Sequence, residues 1–573
     1  MSRKLIENAR RRLEAESGCR ANPWGGRLSV ALVYPNTYHQ AMSNLGFLSV
    51  YHLLNSRADT LCERFFLPDA EDLAEHRKTG YPLFSLETGR FLTDFDVIAF
   101  SVSFENDYLH LPVIFDLARI PLFAEERGED FPPLLTGGVC AFLNPEPLAE
   151  IMDLFAVGEA EAILPALLPL LIAEGPRPEL LRRLARLPGV YVPSQYAIDY
   201  RDDGAPAAIR SLAGAPPRVA RQWLSDLDSA DSRSFVLTPE TEFGDMALTE
   251  VSRGCSRGCR FCAAGFLYLP ERERSLERLL PQIETGLCER DKIGLVGAAV
   301  FDHSAVGELT RAILAQNGKF SVSSLRLDAL RAEEVRDLKT SGHKTVALAP
   351  EAGSQRMRDG INKGLSEEQI LAAVRLLAEE GIPNLKLYFL IGLPGEEDAD
   401  IEAILELTGR IREVWLAVQK TQGRLGSITL SVNPFIPKPF TPLQWAAMTR
   451  EKVLEAKVRR LRAAVGRLPN TRFICESLRA ATLQAFLSRG DRRAGRTLPL
   501  LAAGKNLNAA CRQVGLDPAF YTTRERGEKE IFPWEVLDSG VRRDYLWSEY
   551  GRARQGRLTP RCQPDCRRCG ICA

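Results

Sequence analysis

Histidine is scarce in this chain, with six in 573 residues. No Ser/His/Asp arrangement accompanies them, so triad-type hydrolysis has little support. No uninterrupted apolar run reaches about 18 residues, the length a bilayer-crossing helix needs, and no membrane span is expected. A surplus of either charge is also missing, because 74 Lys and Arg balance 74 Asp and Glu. That argues against a uniformly basic nucleic-acid surface but leaves room for a local patch. The basic start, Met1 to Arg12, has no apolar signal core behind it. It reads as an amphipathic helix with Arg10, Arg11 and Arg12 in solvent. The expected compartment is the cytoplasm, where thiols stay reduced. No short-period repeat is evident.

Composition is ordinary for globular protein, 45% hydrophobic and 26% charged. At about 100–200 residues per domain, the length allows roughly three to five domains. The thirteen cysteines are an odd number, which suits no disulfide framework. Their placement says more. Three fall within residues 255–262 and four within 562–572; the other six are scattered.

Apolar runs at residues 28–34, 97–102, 134–135 and 154–157 read as buried parallel strands, with helical patterns between them. They predict a Rossmann-like, doubly wound α/β domain over residues 26–175, preceded by a helical segment, 1–25. Ligands in such sheets sit at the carboxyl ends of the strands. Those ends carry Gly137, Gly138 and Gly158. Residues 176–240, rich in Pro and Gly, read as a connector. Strand–helix alternation resumes with strands predicted at 248–252, 293–300, 321–326, 345–349, 385–391 and 427–432. Six βα units predict a partial (β/α)6 barrel over 241–447. A helical, Arg-rich region, 448–555, and a Cys-rich tail, 556–573, complete the chain.

The first cysteine group reads Glu250-Val-Ser-Arg-Gly-Cys255-Ser-Arg-Gly-Cys259-Arg-Phe-Cys262. Three thiolates from one glycine-rich loop can hold three irons of a cubane and leave the fourth open. Structural zinc usually takes four ligands, and no fourth Cys or His is local. The C-x3-C-x2-C spacing after the first barrel strand resembles the cluster loop of the radical SAM superfamily.

That resemblance spans about residues 245–445. It implies a [4Fe–4S] cluster on Cys255, Cys259 and Cys262 that reductively cleaves S-adenosylmethionine (SAM). The 5′-deoxyadenosyl radical so formed abstracts hydrogen from an unactivated C–H. The same resemblance implies SAM contacts from Phe261, Ser323, Arg326, Glu351, Gly392 and Asn433. Gly297-Ala-Ala stands where the family has Gly-Gly-Glu, and the acidic residue is absent. An electron donor such as a flavodoxin or ferredoxin is the implied partner.

An α/β domain before such a barrel resembles the cobalamin-binding arrangement, which implies corrin contacts at Gly137, Gly138 and Gly158. The Asp-x-His-x-x-Gly cobalt motif is not met around His39, where Thr37 and Met42 fill its outer positions. Two readings stand: cobalamin without a histidine ligand, or a domain that keeps the fold and has changed its ligand. The tail, Cys562-x3-Cys566-x2-Cys569-x2-Cys572, is a second metal signal. Its tight run is closer to ferredoxin-like cubane ligation than to the separated pairs of zinc sites, and zinc stays open. The whole layout resembles a group of radical SAM proteins with a cobalamin-type front domain. Methyl transfer is the reaction implied first. Auxiliary-cluster chemistry (sulfur insertion or oxidation, with RNA among the substrates) and a non-catalytic metal- or RNA-binding module are the alternatives. Arg489, Asp491, Arg492 and Arg493 read either as an anion site or as a salt-bridged helix end.

Overall fold

The computed structural model describes residues 2–572 except 130, 174, 175, 213, 323, 324, 326, 329, 424, 564 and 565. It opens with helix α1 (Arg3–Glu14). Arg12 does not lie in solvent as expected. It packs among Asp69, Asp72 and Glu240, 3.0–3.5 Å from their carboxylates.

The front sheet begins with β1 (Leu28–Tyr34), seven consecutive buried residues. Such an unbroken apolar run marks a strand covered on both faces. After α2 (Leu45–Asn55) come β2 (Thr60–Phe66), β3 (Val97–Ser101), α3 (Leu111–Ala118), β4 (Leu134–Gly137), β5 (Leu154–Ala156), α4 (Ala160–Ile172) and β6 (Val190–Tyr191). Strand order is β2-β1-β3-β4-β5-β6, all parallel except the last pair. Chain direction across the sheet reverses between β1 and β3, where doubly wound folds take ligands.

Strand β2 escaped the periodicity reading because Glu63 and Arg64 interrupt its apolar run. Both are buried. Arg64 is neutralised by Glu16 and Glu87, each at 2.7 Å, and Glu63 accepts from Trp24 Nε1 and Thr88 Oγ1. Paired charges can be buried where lone ones cannot.

The second body is the barrel: β7 (Ala247–Glu250), α5 (Leu276–Glu289), β8 (Lys292–Val296), α6 (Val306–Ala315), β9 (Lys319–Val322), α7 (Ala332–Thr340), β10 (Thr345–Glu351), α8 (Glu367–Glu379), β11 (Asn384–Ile391), α9 (Asp398–Thr421) and β12 (Ser427–Pro434). The strands pair in sequence order and in parallel, and among the described residues a bridge from Leu325 to Leu348 joins the two runs. In β11, Leu385, Leu387, Phe389 and Ile391 are buried while the residues between them are half-buried. One face therefore packs on the helices and the other lines the barrel interior.

The region expected to be helical after 448 adds a seventh strand. Following α10 (Glu451–Val465), β13 (Thr471–Cys475) pairs in parallel with β12. It is five residues long, and only its alternate residues are half-buried, so a short Phe-Ile-Cys run between helical patterns does not stand out. Helices α11 (Leu478–Arg489) and α12 (Arg543–Arg554) follow. The connector also holds a hairpin of Tyr196–Tyr200 with Pro206–Ser211, and its Val219–Ala220 pairs with Leu537–Asp538. No helix of the described residues is long and apolar enough to cross a membrane.

Candidate active site at the barrel mouth

The chain leaves β7 and turns at Gly254, whose φ is +88°. A Cβ there would lie 2.6 Å from the Tyr268 carbonyl oxygen, so only glycine fits. The loop beyond carries Cys255, Cys259 and Cys262, all partly exposed. Burial, with Cys259 beside it, pushes the Cys262 thiol up to about 12.

Three arginines, one just before the loop and two inside it, fix it to the rest of the molecule. Arg253 donates to Glu250 and Glu159 at 2.9 Å and to Glu161 at 2.6 Å. Arg257 reaches Asp302 and Asp328, each at 2.7 Å. Arg260 is fully buried. It donates to the carbonyls of Asp359, Gly360 and Arg557 and to the Glu549 carboxylate at 3.0 Å. Asn362, in left-handed backbone at φ +55°, donates from Nδ2 to the Gly258 carbonyl at 3.1 Å.

The donor set fits a cubane cluster: three thiols on one short, braced loop. Among the described residues, no three His, Cys, Asp or Glu side chains are already gathered into a metal-ion site. The fit is therefore one of donor chemistry and not of a finished cage.

Around this loop stand the strand ends singled out for SAM. Glu351 closes β10 in left-handed backbone, φ +66°. Such strain in a non-glycine residue is typical of functional sites. Its carboxylate accepts from Lys363 at 3.2 Å. Lys363 also acts electrostatically on Cys262, so Glu351, Lys363 and the cluster loop form one neighbourhood. Phe261 is half-buried against the core cluster that runs from the front domain through the cysteine loop to the carboxyl-terminal region. Asn433, near the end of β12, is half-buried, with Oδ1 3.5 Å from the Glu476 backbone nitrogen. Gly392 has a packing duty: a Cβ would come within 2.9–3.0 Å of Leu454 and Thr449. Ser323 and Arg326 lie outside the described residues.

Facing the barrel mouth, the carboxyl ends of the front sheet share a cavity of about 490 Å³ with it. Ser101, Gly138 and Gly158 line one side, and Glu250, Ser252 and Gly297 the other. Val139, Phe142 and Tyr268 supply apolar wall. Gly138 and Gly158 reach positive φ for packing reasons. A Cβ would come within 2.4 Å of the Val102 carbonyl oxygen at the first and 2.0 Å of the Gln222 carbonyl oxygen at the second. Gly137 differs, because a Cβ there would enter open space. Glu159 and Glu161, beside Gly158, are spent on Arg253 and Arg272.

A second contact holds the domains together. Burial alone would raise the Glu105 carboxyl, but Lys438 and Gln484 outweigh it and hold it below its ordinary value. Nearby Asp107 goes the other way. Burial lifts it to about 6, although Asn36 donates to it at 2.8 Å. The anion-site alternative for residues 489–493 loses its free charges. Arg492 pairs with buried Glu146 at 2.9 Å, Arg493 with Asp491 at 2.5 Å, and Arg489 is buried against backbone carbonyls.

The tail folds back onto the cysteine loop. The Cys562 amide donates to the Ser256 carbonyl at 2.9 Å, and Arg561 Nε to Ser256 Oγ at 2.6 Å. Cys569 is buried, and Cys562, Cys566 and Cys572 are partly exposed. Burial and the neighbouring thiols push Cys562 up to about 12. Burial would raise Cys566 too, but Arg568, donating to its sulfur at 3.1 Å, holds it below its ordinary value.

Sequence reasoning missed Arg253, Arg260, Asn362 and Lys363. Arg260 lies within the cysteine motif itself and Arg253 two residues before it, and the Asn-Lys-Gly turn at 362–364 was a readable sign of left-handed backbone.

Two families match this architecture. The one described as radical SAM proteins, N-terminal, matches residues 46–193, and the radical SAM superfamily matches residues 249–408. The chain is a radical SAM protein. Membership brings a [4Fe–4S] cluster and SAM, and a requirement for an electron donor. An uncharacterised protein of Methanocaldococcus jannaschii is 29% identical over 467 residues, 81% of this radical SAM chain and 89% of its relative. A tRNA-2-methylthio-N(6)-dimethylallyladenosine synthase of Cereibacter sphaeroides is 27% identical over 259 residues, 42% of this chain and 55% of the synthase. Among solved structures, the radical S-adenosylmethionine methyltransferase TsrM of Kitasatospora setae was determined with cobalamin and a [4Fe–4S] cluster bound. It aligns over 73% of this chain and 77% of its own, at 17% identity and a TM-score of 0.48.

Proposed function

We propose that this radical SAM enzyme transfers a methyl group, with a cobalamin held by the front domain opposite the barrel mouth. The observation that carries the reading is the shared cavity. Its walls come from the ligand-binding end of one α/β sheet and from the strand ends around the cluster loop. A front domain whose ligand end faces a radical site supports the reading that it holds the second cofactor of a two-cofactor reaction.

The donor chemistry of the cavity is compatible with a corrin. Phe142, Val139 and Tyr268 offer an apolar face, and Gly137 leaves open space beside the sheet edge. No histidine is among the residues lining it, so a cobalt there would lack a histidine ligand. Bound SAM supplies the 5′-deoxyadenosyl radical or a methyl group. The chain's own residues orient and shield. Glu351 has acceptor capacity left beside Lys363 for a ribose hydroxyl or an ammonium group. Gly297 and Ala298 offer backbone carbonyls in place of the missing acid. Arg253 and Glu250 neutralise each other at the cavity wall.

The test is anaerobic purification with cobalamin supplied, metal analysis, then product analysis after reduction with SAM. Methyl transfer predicts retained cobalt and the appearance of both S-adenosylhomocysteine and 5′-deoxyadenosine. Protein that holds no cobalt and yields 5′-deoxyadenosine alone would sink it. The match to a tRNA methylthio-synthase favours a second reading, sulfur insertion into RNA. That reading predicts a sulfur-containing mass increase on tRNA nucleosides without any need for cobalt.

A further inference from the structure

We propose that Cys562, Cys566, Cys569 and Cys572 bind a second [4Fe–4S] cluster, seated directly against the loop that holds the first. It rests on the radical SAM loop carrying its own cluster, and not on which reaction follows.

Two kinds of observation support it. The first is the donor set. Four thiols within eleven residues, none in a disulfide, match the close spacing of cubane ligation better than the separated pairs of zinc sites. Arg568 donates to the Cys566 sulfur at 3.1 Å and to the Pro560 carbonyl at 2.7 Å, tying Cys566 to the chain just before Cys562. Hydrogen bonds to ligand sulfurs are among the features that tune such clusters. Downstream, the Arg542 amide donates to the Cys569 carbonyl at 2.8 Å. Gly570, at φ +93°, passes where a Cβ would lie 2.8 Å from Arg542 Cγ. The described residues of the tail are therefore held in place by contacts at Cys566, Arg568, Cys569 and Gly570.

The second is where it docks. Cys255 of the first loop and Cys562, Cys566 and Cys569 of the tail line one cleft of about 30 Å³. Ser256, next to Cys255, receives the Cys562 amide and the Arg561 side chain. Asn362 bonds both sides at once, donating to Gly258 and accepting from the Thr559 amide at 2.8 Å. Arg260 does the same through the Arg557 carbonyl at 2.7 Å. A cluster bound in the tail would be the immediate neighbour of the first. One electron from a reduced flavodoxin- or ferredoxin-class carrier could enter at the tail and pass to the loop. The tail site would be reduced and re-oxidised once per transfer, with no bond made or broken.

The experiment uses the full chain, reconstituted anaerobically with iron and sulfide in three forms. These are the natural sequence, a triple variant (Cys255→Ala, Cys259→Ala, Cys262→Ala) and a tail variant (Cys566→Ser, Cys569→Ser). Expected contents are about eight irons per chain in the first and about four in each of the others. After dithionite reduction, the electron paramagnetic resonance signal of the natural sequence should be broadened by coupling between the two centres. Each variant should give a sharp signal. The triple variant decides the matter even if the tail variant misfolds, because iron kept there must sit in the tail. A triple variant without iron, or with zinc in its place, overturns the second cluster. Equal iron in the natural sequence and the triple variant would instead show that the first loop is empty. Unbroadened signals from a chain holding both clusters would overturn their adjacency.

Discussion

Arg260 and Glu549 stand 289 positions apart in the chain and 3.0 Å apart in the fold, both buried. One lies between two cysteines of the cluster loop and the other on α12, so this ion pair locks the loop to the carboxyl-terminal region. Removing one partner of a buried pair leaves an uncompensated charge, at a cost of about 3–5 kcal/mol. Arg260→Met should lower the melting temperature and open the tail to protease. Wild-type rates of tail cleavage in the variant would mean that the pair does not hold the tail down.

Lys438 stands in the same relation to Glu105 across the two domains. Lys438→Met should destabilise the chain by about 3–5 kcal/mol in chemical denaturation, because Glu105 stays buried and charged. Adding Glu105→Gln should recover most of that loss. No recovery in the double variant would argue that Lys438 acts through something other than charge.

Asp107 gives a pH dependence. It faces Asn36 and His110, with Glu105 acting on it as a like charge. Burial raises its value to about 6 when folded, against about 3.9 for a free aspartate. The folded state thus binds this proton more tightly. The resulting stabilisation is complete below about pH 4 and lost as pH rises through about 6, on the order of 3 kcal/mol. Asp107→Asn should flatten the melting-temperature profile over that window. An unchanged profile would assign the dependence to other groups.

The front-domain glycines separate packing from ligand space. Gly158→Ala would force a Cβ to 2.0 Å from the Gln222 carbonyl oxygen at φ +131°. It should cost about 1–3 kcal/mol by thermal denaturation. Gly137→Ala meets nothing within 4 Å, so its melting temperature should stay close to wild type. If Gly137→Ala also binds cobalamin normally in a spectroscopic titration, the open space beside it does not receive the corrin.

Much of this was legible from residue order. The unbroken run Leu-Ser-Val-Ala-Leu-Val-Tyr gave β1 its full extent, and the alternating βα pattern gave six barrel strands. The cysteine spacing pointed to the family. Legibility failed where tertiary pairing overrides local signal. Strand β2 carries Glu63 and Arg64 inside, tolerable only because Trp24, Thr88, Glu16 and Glu87 meet them. Strand β13 is only five residues, Thr471-Arg-Phe-Ile-Cys475, and its place beside β12 is set by pairing, with Ile474 left exposed and no residue fully buried. Gly138 and Gly158 look like cofactor glycines from sequence. Their backbone neighbours, Val102 and Gln222, belong to distant segments that no spacing reveals.

Asn362 allows the loop's bracing to be tested apart from its backbone strain. Its φ of +55° suits glycine and asparagine, while alanine there costs roughly 1–2 kcal/mol. Its side chain separately bonds Gly258 and Thr559. Asn362→Gly keeps the backbone free to adopt this conformation and removes both hydrogen bonds. Asn362→Ala removes the bonds and adds strain. If the clasp steadies the cluster loop, both variants should lose iron to a chelator several times faster than wild type under anaerobic conditions, with alanine at least as fast as glycine. If strain alone matters, the glycine variant should release iron at the wild-type rate while the alanine variant does not. The readout is the first-order rate of iron release, which needs neither substrate nor turnover.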